Sequence, residues 1–219
     1  DALHERVADD IALVDEATGG WGHINIDHIV FTDKKPSLPV RDARHELTIA
    51  KRYLHVPVKT GAKMCRVRLM VDDRTVREFD VELAAGQPDF WAPLDVAALR
   101  GKNAVIQVDN LPGALADFKW LEPSDAVKPT PDLYKEKHRP QFHFSAKRGW
   151  LNDPNGLVHY KGEYHLFFQH NPTGIEWGNM TWGHAVSPDL VHWRQLDHAI
   201  LPDKLGTIFS GSALAGPDK

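Results

Sequence analysis

Cysteine is nearly absent from this 219-residue sequence, because Cys65 is the only one. An intrachain disulfide is therefore excluded. Cys65 opens a strand-like run, where a small buried hydrophobic residue is favoured over a reactive thiol. No apolar run approaches the roughly 20 residues that span a bilayer, so no membrane partner is expected. No charged-then-apolar leader opens the chain either, so we expect any secretion signal to be absent or already removed.

An excess of basic charge is also missing, since 26 Lys and Arg stand against 30 Asp and Glu for a net charge of −4. Nucleic acid requires a basic face, so it is not an expected partner. The 13 His form no spaced pair on a helix and have no cysteine pairs beside them, so no metal site is expected. No glycine-rich phosphate loop precedes a helix, and no cofactor is expected.

Helix signals are scarce, with a single candidate of one or two turns at residues 132–137. Alternating apolar residues instead predict strands at residues 54–58, 67–71, 79–83 and 105–108. A turn at residues 72–74 joins the second and third of these as a hairpin. The pattern predicts an all-β protein in which residues 34–122 form a small β-sandwich domain.

Two segments border the predicted sandwich. Residues 1–33 are too short for a domain and are interpreted as the tail of a preceding β-sandwich. A faint likeness between residues 11–15 and 105–109 fits two related sandwiches in tandem, although five residues are weak support for a repeat. Residues 123–140 carry Pro123, Pro129, Pro131 and Pro140 among charged residues and are predicted to be a linker.

Residues 141–219 have a different pattern. Four antiparallel strands are predicted in succession, at residues 157–160, 164–169, 182–186 and 191–200. Four such strands form one blade of a β-propeller. Residues 209–214 are predicted to be the first strand of the next blade, so this segment is interpreted as the start of a propeller domain.

Asp153 is the main candidate for a catalytic residue. It lies in residues 150–156, which read Trp-Leu-Asn-Asp-Pro-Asn-Gly. Pro154 fixes its own φ and the Asn-Gly pair favours left-handed turn geometry, so the carboxylate is held rigidly. The neighbouring Asn152 can orient that carboxylate or bind a hydroxyl. Taken alone, the string is at least as typical of an ordinary turn in which Asp153 bonds its own backbone.

Further candidates for a sugar pocket are Gln169, Trp177, Phe209 and Ser210. The amide of Gln169 serves sugar hydroxyls as donor and acceptor at once, although a polar residue also commonly closes a strand. Trp177 lies in a loop, where a large ring is hard to explain as core, and Ser210 offers a hydroxyl. Trp182 and His184, on an alternating strand, are interpreted as core residues.

The role of the upstream sandwich is open between carbohydrate binding and scaffolding. Trp91 follows a Gly-Gln-Pro turn and is the residue on which this choice depends. Buried packing is the favoured interpretation of its ring. A platform on which a sugar stacks is the alternative.

Five segments of the C-terminal half together resemble glycoside hydrolase family 32, which contains the invertases, levanases and inulinases. They are residues 150–156, 168–172, 176–184, 187–193 and 209–212. Their order and spacing match over roughly residues 138–219, which makes the resemblance specific. Residues 15–29 resemble, more loosely, the sandwich domains that precede the propeller in some bacterial members.

The resemblance implies a five-bladed propeller whose central pocket takes the terminal β-D-fructofuranosyl unit of levan, inulin or sucrose, and an extracellular location. Asp153 matches the family nucleophile of a two-step retaining mechanism. The positions that match the pocket lining are Asn152, Gln169, Trp177, Phe209 and Ser210. A glutamic acid is implied as acid/base, at roughly 5–5.5 Å from the nucleophile.

The sequence departs from the family at two elements. Members carry an Arg-Asp-Pro string and a Glu-Cys string, and neither occurs in these 219 residues. We therefore expect a fragment, cut inside a sandwich at its start and inside the second blade at its end, and inactive by itself. Two other functions stay open: a non-catalytic fructan-binding protein, and a fructosyltransferase of the same fold.

Overall fold

The computed structural model describes residues 40–203 and 205–216. Within them the chain is all-β, as predicted, with two short 3-10 turns at Ala97–Leu99 and Gly113–Leu115. The predicted tail of a preceding sandwich at residues 1–33 lies outside the described residues. The candidate helix at residues 132–137 is wrong. Tyr134 has φ +63° there, and a left-handed residue of this kind interrupts a right-handed helix.

Seven strands build two sheets in the first part of the described chain. They are β1 (Ala43–Thr48), β2 (Tyr53–Val58), β3 (Met64–Val71), β4 (Arg74–Glu82), β5 (Phe90–Asp95), β6 (Asn103–Asp109) and β7 (Glu122–Ser124). One sheet has the order β1-β6-β3-β4 and the other β5-β2-β7. Residues of both sheets form one shared hydrophobic core, which is the arrangement of a β-sandwich. Cys65 is buried in that core, as predicted.

The predicted hairpin is strand β3 followed by β4. Asp72 and Asp73 at its tip have φ +50° and +58°, which suits the left-handed geometry of a tight two-residue turn. Strand β4 of this hairpin is the edge strand of its sheet. Its outer peptide groups therefore have no neighbouring strand in that sheet.

The segment that follows β6 also packs on the sandwich. Strand β7 pairs with β2 and includes the first two residues of the predicted linker. Beyond it, the backbone N–H of Lys128 donates to Nε2 of His55 at 3.1 Å. His55 is fully buried, and its other ring nitrogen lies 3.3 Å from the carbonyl of Glu122. This part of residues 123–140 thus covers a buried strand.

Four strands form the second sheet system, with the order β11-β10-β9-β8. They are β8 (Trp150–Tyr160), β9 (Glu163–Asn171), β10 (Thr181–Ser187) and β11 (Arg194–Gln195). All pairs are antiparallel, as in a propeller blade.

The last strand of the blade is much shorter than the predicted range of 191–200. Asp189 Oδ1 accepts the N–H groups of Val191 and His192 at 2.9 and 2.8 Å, and this turn uses backbone donors that a strand needs. The strand predicted at 209–214 is also wrong, because only isolated backbone bonds reach its surroundings, such as Gly156 N–H to Gly211 O at 3.3 Å.

The core of the blade is small and contains Ala146, Leu166, Phe168 and Ala185. Gly183 pairs directly with Phe168, and a Cβ on Gly183 would lie 2.2 Å from that ring. Trp182 is buried, as predicted. His184 is half-buried and stacks on Phe167 with 4.4 Å between ring centroids.

Two hydrogen-bonded histidines of the blade, His170 and His198, have pKa values lowered chiefly by burial. The buried His170 donates from Nε2 to the carbonyl of Arg148 at 2.8 Å, so its Nδ1 accepts from Nε2 of His198 at 2.9 Å. Burial lowers the pKa of both imidazoles, and for His198 the neighbouring His170 and Arg77 lower it further. A second proton on His170 would point at the N–H of His198.

We expect this pair to make folding less stable in acid. In the unfolded chain both rings bind protons below their usual pKa of about 6.5, whereas the lowered pKa values of the folded rings make them bind protons less readily, so the free energy of unfolding falls as pH drops below that value. His198→Gln keeps an N–H donor toward His170 and should reduce this loss between pH 7 and 5. Thermal unfolding at several pH values measures it, with exposed His143→Gln as control. Equal slopes for both variants and the unmodified chain would contradict the assignment.

Candidate active site

Asp153 lies in a bulge of strand β8. The pairing with β9 passes from Leu151 opposite His170 to Pro154 opposite Phe168. Asn152 and Asp153 therefore both stand opposite one residue, Gln169. A bulge of this kind bends the strand and redirects its side chains, and Pro154 is tolerated because the ladder is interrupted there. The ordinary turn considered from the sequence is wrong.

Asp153 is linked to Gln169 through a serine hydroxyl. Ser210 Oγ donates to Asp153 Oδ2 at 2.8 Å, and Gln169 Nε2 donates to Ser210 Oγ at 3.4 Å. The hydroxyl has one hydrogen, which goes to the carboxylate, so Gln169 must present its NH₂ group to the serine. Its other amide atom, Oε1, is buried without a partner among the described residues. An unpaired buried acceptor beside an exposed carboxylate can receive a ligand hydroxyl.

The segment that carries Ser210 is held against the blade by main-chain contacts. Trp182 Nε1 donates to the carbonyl of Phe209 at 3.0 Å, and Gly156 N–H reaches Gly211 O. Gly156 has φ +49°, and a Cβ there would lie 2.9 Å from Cβ of Ala213. The Asn-Gly step of the motif is thus needed both for its backbone conformation and for this close approach.

Hydrogen bonds favour the charged form of Asp153. They hold the pKa of its exposed carboxyl below the ordinary value, first through Ser210 and then through the side chain of Asn152. Trp150 Nε1 occupies Oδ1 of Asn152 at 2.9 Å, which leaves the amide NH₂ of Asn152 available. Within residues 40–203 and 205–216, no charged side chain contributes to the shift in the pKa of Asp153.

The two candidate aromatic residues are both exposed, Trp177 by 61% and Phe209 by 69%. Phe209 directly precedes Ser210 and so borders the hydrogen-bonded group. Trp177 lies in the loop between β9 and β10. In the described part of the chain, no hydrogen bond or ring contact joins it to Asp153 or Gln169. The structure therefore groups Asn152, Asp153, Gln169 and Ser210, with Phe209 adjacent and Trp177 on a separate loop.

The sequence did not single out Asn171, which organises that loop. Its buried Oδ1 accepts from Thr173 N at 3.1 Å and from Asn179 Nδ2 at 3.0 Å. Its Nδ2 donates to the carbonyl of Glu176 at 2.9 Å. The available signal was the run of polar residues 169–171 at the end of a strand that is otherwise apolar. Such a run at a buried position indicates side chains with assigned partners.

A cavity of about 470 Å³ lies between the sandwich and the blade. Apolar residues of both parts line it, and Arg77, Arg148 and His198 face it. Asp153 is not part of its lining. Because the motif residues meet elsewhere, we place the candidate site at Asp153 and not in this cavity.

The ring of Trp91 is half-buried and one of its faces is covered. Lys128 Nζ lies 3.5 Å from the ring centroid, at the distance of a cation–π contact. A sugar stacked on that face would have to displace the ammonium group. The arrangement favours packing over a stacking platform.

Residues 40–203 and 205–216 contain neither a helical membrane span nor a cluster of metal ligands. None of their helices is long and apolar enough to cross a membrane. No three or more His, Cys, Asp or Glu side chains in them come together as a group suited to a metal ion.

Two family models match the chain. Residues 143–219 match the model described as "Glycosyl hydrolases family 32 N-terminal domain". Residues 40–123 match the model described as "Domain of unknown function (DUF4980)". The first covers the blade and the residues grouped at Asp153, and the second covers the sandwich.

Curated relatives match part of the chain. A levanase of Bacillus subtilis is 60% identical over 81 residues, which are 37% of this chain and 12% of that protein. An extracellular exo-inulinase of Aspergillus awamori is 53% identical over 87 residues, which are 37% of this chain and 16% of that protein. Beta-fructofuranosidase 1 of Zea mays is 43% identical over 133 residues, covering 57% and 18%. The chain thus spans less than a fifth of the length of each.

Two solved structures are also similar to parts of the chain. The exo-inulinase of Aspergillus awamori is 53% identical over 37% of this chain and 17% of its own, with a TM-score of 0.35. A glycoside hydrolase family 32 protein of Bifidobacterium adolescentis is 26% identical over 75% of this chain and 29% of its own, with a TM-score of 0.37.

We expect Ser210→Ala to raise the pKa of Asp153 toward its ordinary value. The substitution removes the hydrogen bond that contributes most to the lowered pKa of this carboxyl. A pH titration of the side-chain carboxyl carbon by NMR measures the change. Ser212→Ala, in the same exposed segment, is the matched control and should titrate like the unmodified chain. An unchanged midpoint in Ser210→Ala would show that the hydroxyl does not stabilise the carboxylate.

Proposed function

We propose, on the premise that residues 143–219 belong to glycosyl hydrolase family 32, that the protein cleaves terminal β-D-fructofuranosyl residues from levan, inulin or sucrose. Asp153 is the nucleophile in this proposal. The observation that carries it is the hydrogen-bonded chain from Gln169 through Ser210 to Asp153, which ends in an unpaired buried acceptor. The names of the relatives, a levanase, an exo-inulinase and a beta-fructofuranosidase, support the substrate class.

The lowered pKa of Asp153 suits a nucleophile, which must be ionised when it attacks. A carboxylate oxygen forms a bond to the anomeric carbon as the glycosidic C–O bond breaks, and a second carboxylic acid gives its proton to the leaving oxygen. Water then attacks the fructosyl-enzyme, gives a proton to that second group, and releases the sugar with retained configuration. The second carboxylic acid must be protonated at the start. The surroundings of Asp153 and of that acid must therefore shift their two pKa values in opposite directions.

The remaining residues of the group bind the sugar in this proposal. Gln169 Oε1 accepts a hydroxyl hydrogen, which pairs the buried atom that lacks a partner in the described structure. Asn152 holds Asp153 and can bind a hydroxyl with its amide. Phe209 and Trp177 offer exposed rings to the C–H faces of the sugar.

Among the described residues, none is assigned as the acid/base partner of Asp153. A retaining mechanism needs a second carboxyl at about 5–5.5 Å. No carboxylate of the described residues contributes to the pKa of Asp153, and the Glu-Cys string is absent from the sequence. We propose that the 219 residues alone do not hydrolyse fructosides. The same observation favours one second candidate, a fructan-binding protein that uses these contacts without catalysis.

We expect Asp153→Asn to separate the two candidates. In the complete natural polypeptide, loss of the nucleophile should lower fructose release from levan and sucrose by at least about 10³-fold. Asp72→Asn, in the exposed tip of the β3–β4 hairpin, is the matched control and should keep the rate. If the unmodified polypeptide releases no fructose but binds levan, the binding function replaces the enzyme. Hydrolysis by Asp153→Asn at nearly the unmodified rate would refute the nucleophile.

A second measurement concerns the chain by itself. Purified as these 219 residues, it should release no fructose from levan, inulin or sucrose, because the Glu-Cys string that supplies the acid/base in the family is absent from them. Chromatographic detection of free fructose after long incubation is sensitive enough to decide. Any fructose above that of the Asp153→Asn form of the same chain would contradict the proposal.

A further inference from the structure

One side chain of the blade is bonded to the main chain of the sandwich. Asn179 Nδ2 donates to the carbonyl of Asp80 at 2.8 Å, and Asp80 N–H donates to Asn179 Oδ1 at 2.8 Å. Asp80 lies on β4, the edge strand of its sheet, where outward peptide groups need partners. A primary amide carries the same donor and acceptor as a peptide group. Asn179 therefore acts as a strand partner for one residue of the sandwich edge.

The same contact continues into the loop of residues 172–180. Thr173 Oγ1 donates to the carbonyl of Asp80 at 3.2 Å. Asn171 then joins both ends of the loop, because its Oδ1 accepts from Thr173 and from Asn179. Its Nδ2 holds the carbonyl of Glu176, the residue before Trp177. Asn171 thus holds the loop together, and Thr173 and Asn179 bond the loop to Asp80 of the sandwich.

Two other attachments join the sandwich side to the blade, and neither involves the loop of residues 172–180. Arg148 donates to the carbonyl of Lys128 at 3.0 Å and to Thr130 Oγ1 at 2.5 Å. Arg52 bonds Asp197 at 2.8 Å, but these side chains are 42% and 72% exposed, and exposed ion pairs contribute little. Between this pair and the Asn179 contact lies the cavity of about 470 Å³, so side chains of the two parts do not pack continuously. The half-buried amide of Asn179 is the attachment that connects the loop itself to the sandwich.

We propose that the sandwich is a positioning element for the loop that carries Trp177, and that Asn179 and the edge of β4 form the clamp. This gives a role to the region matched by a domain of unknown function. The effect of the clamp on substrate affinity rests on the proposed function. Asp153, Gln169 and Ser210 are not on this loop, so releasing the clamp leaves the nucleophile and its hydrogen bonds in place. Substrate affinity should change while the chemical step does not.

Asn179→Asp is the sharpest substitution for this test. It keeps the size of the side chain and an acceptor for Asp80 N–H. It loses the NH₂ donor, and it brings a carboxylate toward the oxygens of Asp80 and Asn171. Asn179 has φ +46° and Asn110 has φ +55°, so Asn110→Asp repeats the chemical change on a left-handed exposed residue of the sandwich. Thr173→Val, which removes one bond to Asp80 and keeps the shape, is the milder second variant.

Two readouts are measured on the complete natural polypeptide. Hydrogen–deuterium exchange by mass spectrometry should become faster in the peptide that spans residues 172–180 and stay unchanged in the peptide that spans residues 150–160. KM for levan-derived oligosaccharides should rise about three- to tenfold, as expected for loss of one or two hydrogen bonds, with kcat within about twofold. Asn110→Asp should alter neither.

The two measurements test the proposed clamp and the proposed function separately. Faster loop exchange with a raised KM supports the proposal. Unchanged exchange in both Asn179→Asp and Thr173→Val overturns it, as does faster exchange with an unchanged KM. If the unmodified polypeptide releases no fructose, the proposed function fails. The exchange data still decide whether the sandwich orders the loop, and levan-binding affinity then takes the place of KM.

Discussion

The double pairing of strand β9, with β8 on one side and β10 on the other, is the constraint on which the blade and the candidate site both depend. Side chains of a strand alternate between its two faces. Phe168 and His170 therefore share one face, where they meet the small blade core and the pair with His198. Gln169 and Asn171 share the other face, where they reach Ser210 and the Trp177 loop. The register of β9 thus places the residues that pack inside the blade on one face of the strand, and the residues near Ser210 and the Trp177 loop on the other.

The bulge in β8 follows from that register. Two residues of β8 oppose Gln169 alone, and the extra residue lets Asp153 meet Ser210 while Asn152 meets Trp150. A regular strand would place these two neighbours on opposite faces. The buried Gln169 still has one unpaired atom, and such an atom is unfavourable until a hydroxyl reaches it. The site therefore holds an unsatisfied polar group that bound sugar would satisfy.

The sequence predicted the features that local pattern determines. Alternating apolar residues predicted the β3–β4 hairpin and the strands of the blade. The pair Asp72-Asp73 predicted the turn of that hairpin. The bulge was not predictable, because it depends on which residues of β9 lie opposite. The short final strand was missed because Asp189 takes backbone donors from Val191 and His192. Competition of this kind is decided by one side-chain oxygen and leaves the apolar pattern unchanged.

The Asn179 contact was unpredictable for a different reason. Its partner is the main chain of Asp80, 99 residues away, and a backbone partner imposes no residue type that a sequence could reveal. The spacing of residues 176–184 predicted a loop with Trp177 but not what holds it.

The two kinds of attachment at the site have different consequences. The hydrogen bonds of Asp153 come from β8 and from Ser210, which Gln169 of β9 contacts in turn, so the state of the carboxylate is determined inside the blade. Trp177 depends on Asn171 and Asn179, and through them on β4 of the sandwich. A net hydrogen bond is worth about 1 kcal/mol, so the clamp biases the loop without locking it. Substitutions along β4 are therefore expected to change how tightly a sugar is held, whereas the ionisation of Asp153 responds first to Ser210 and then to Asn152.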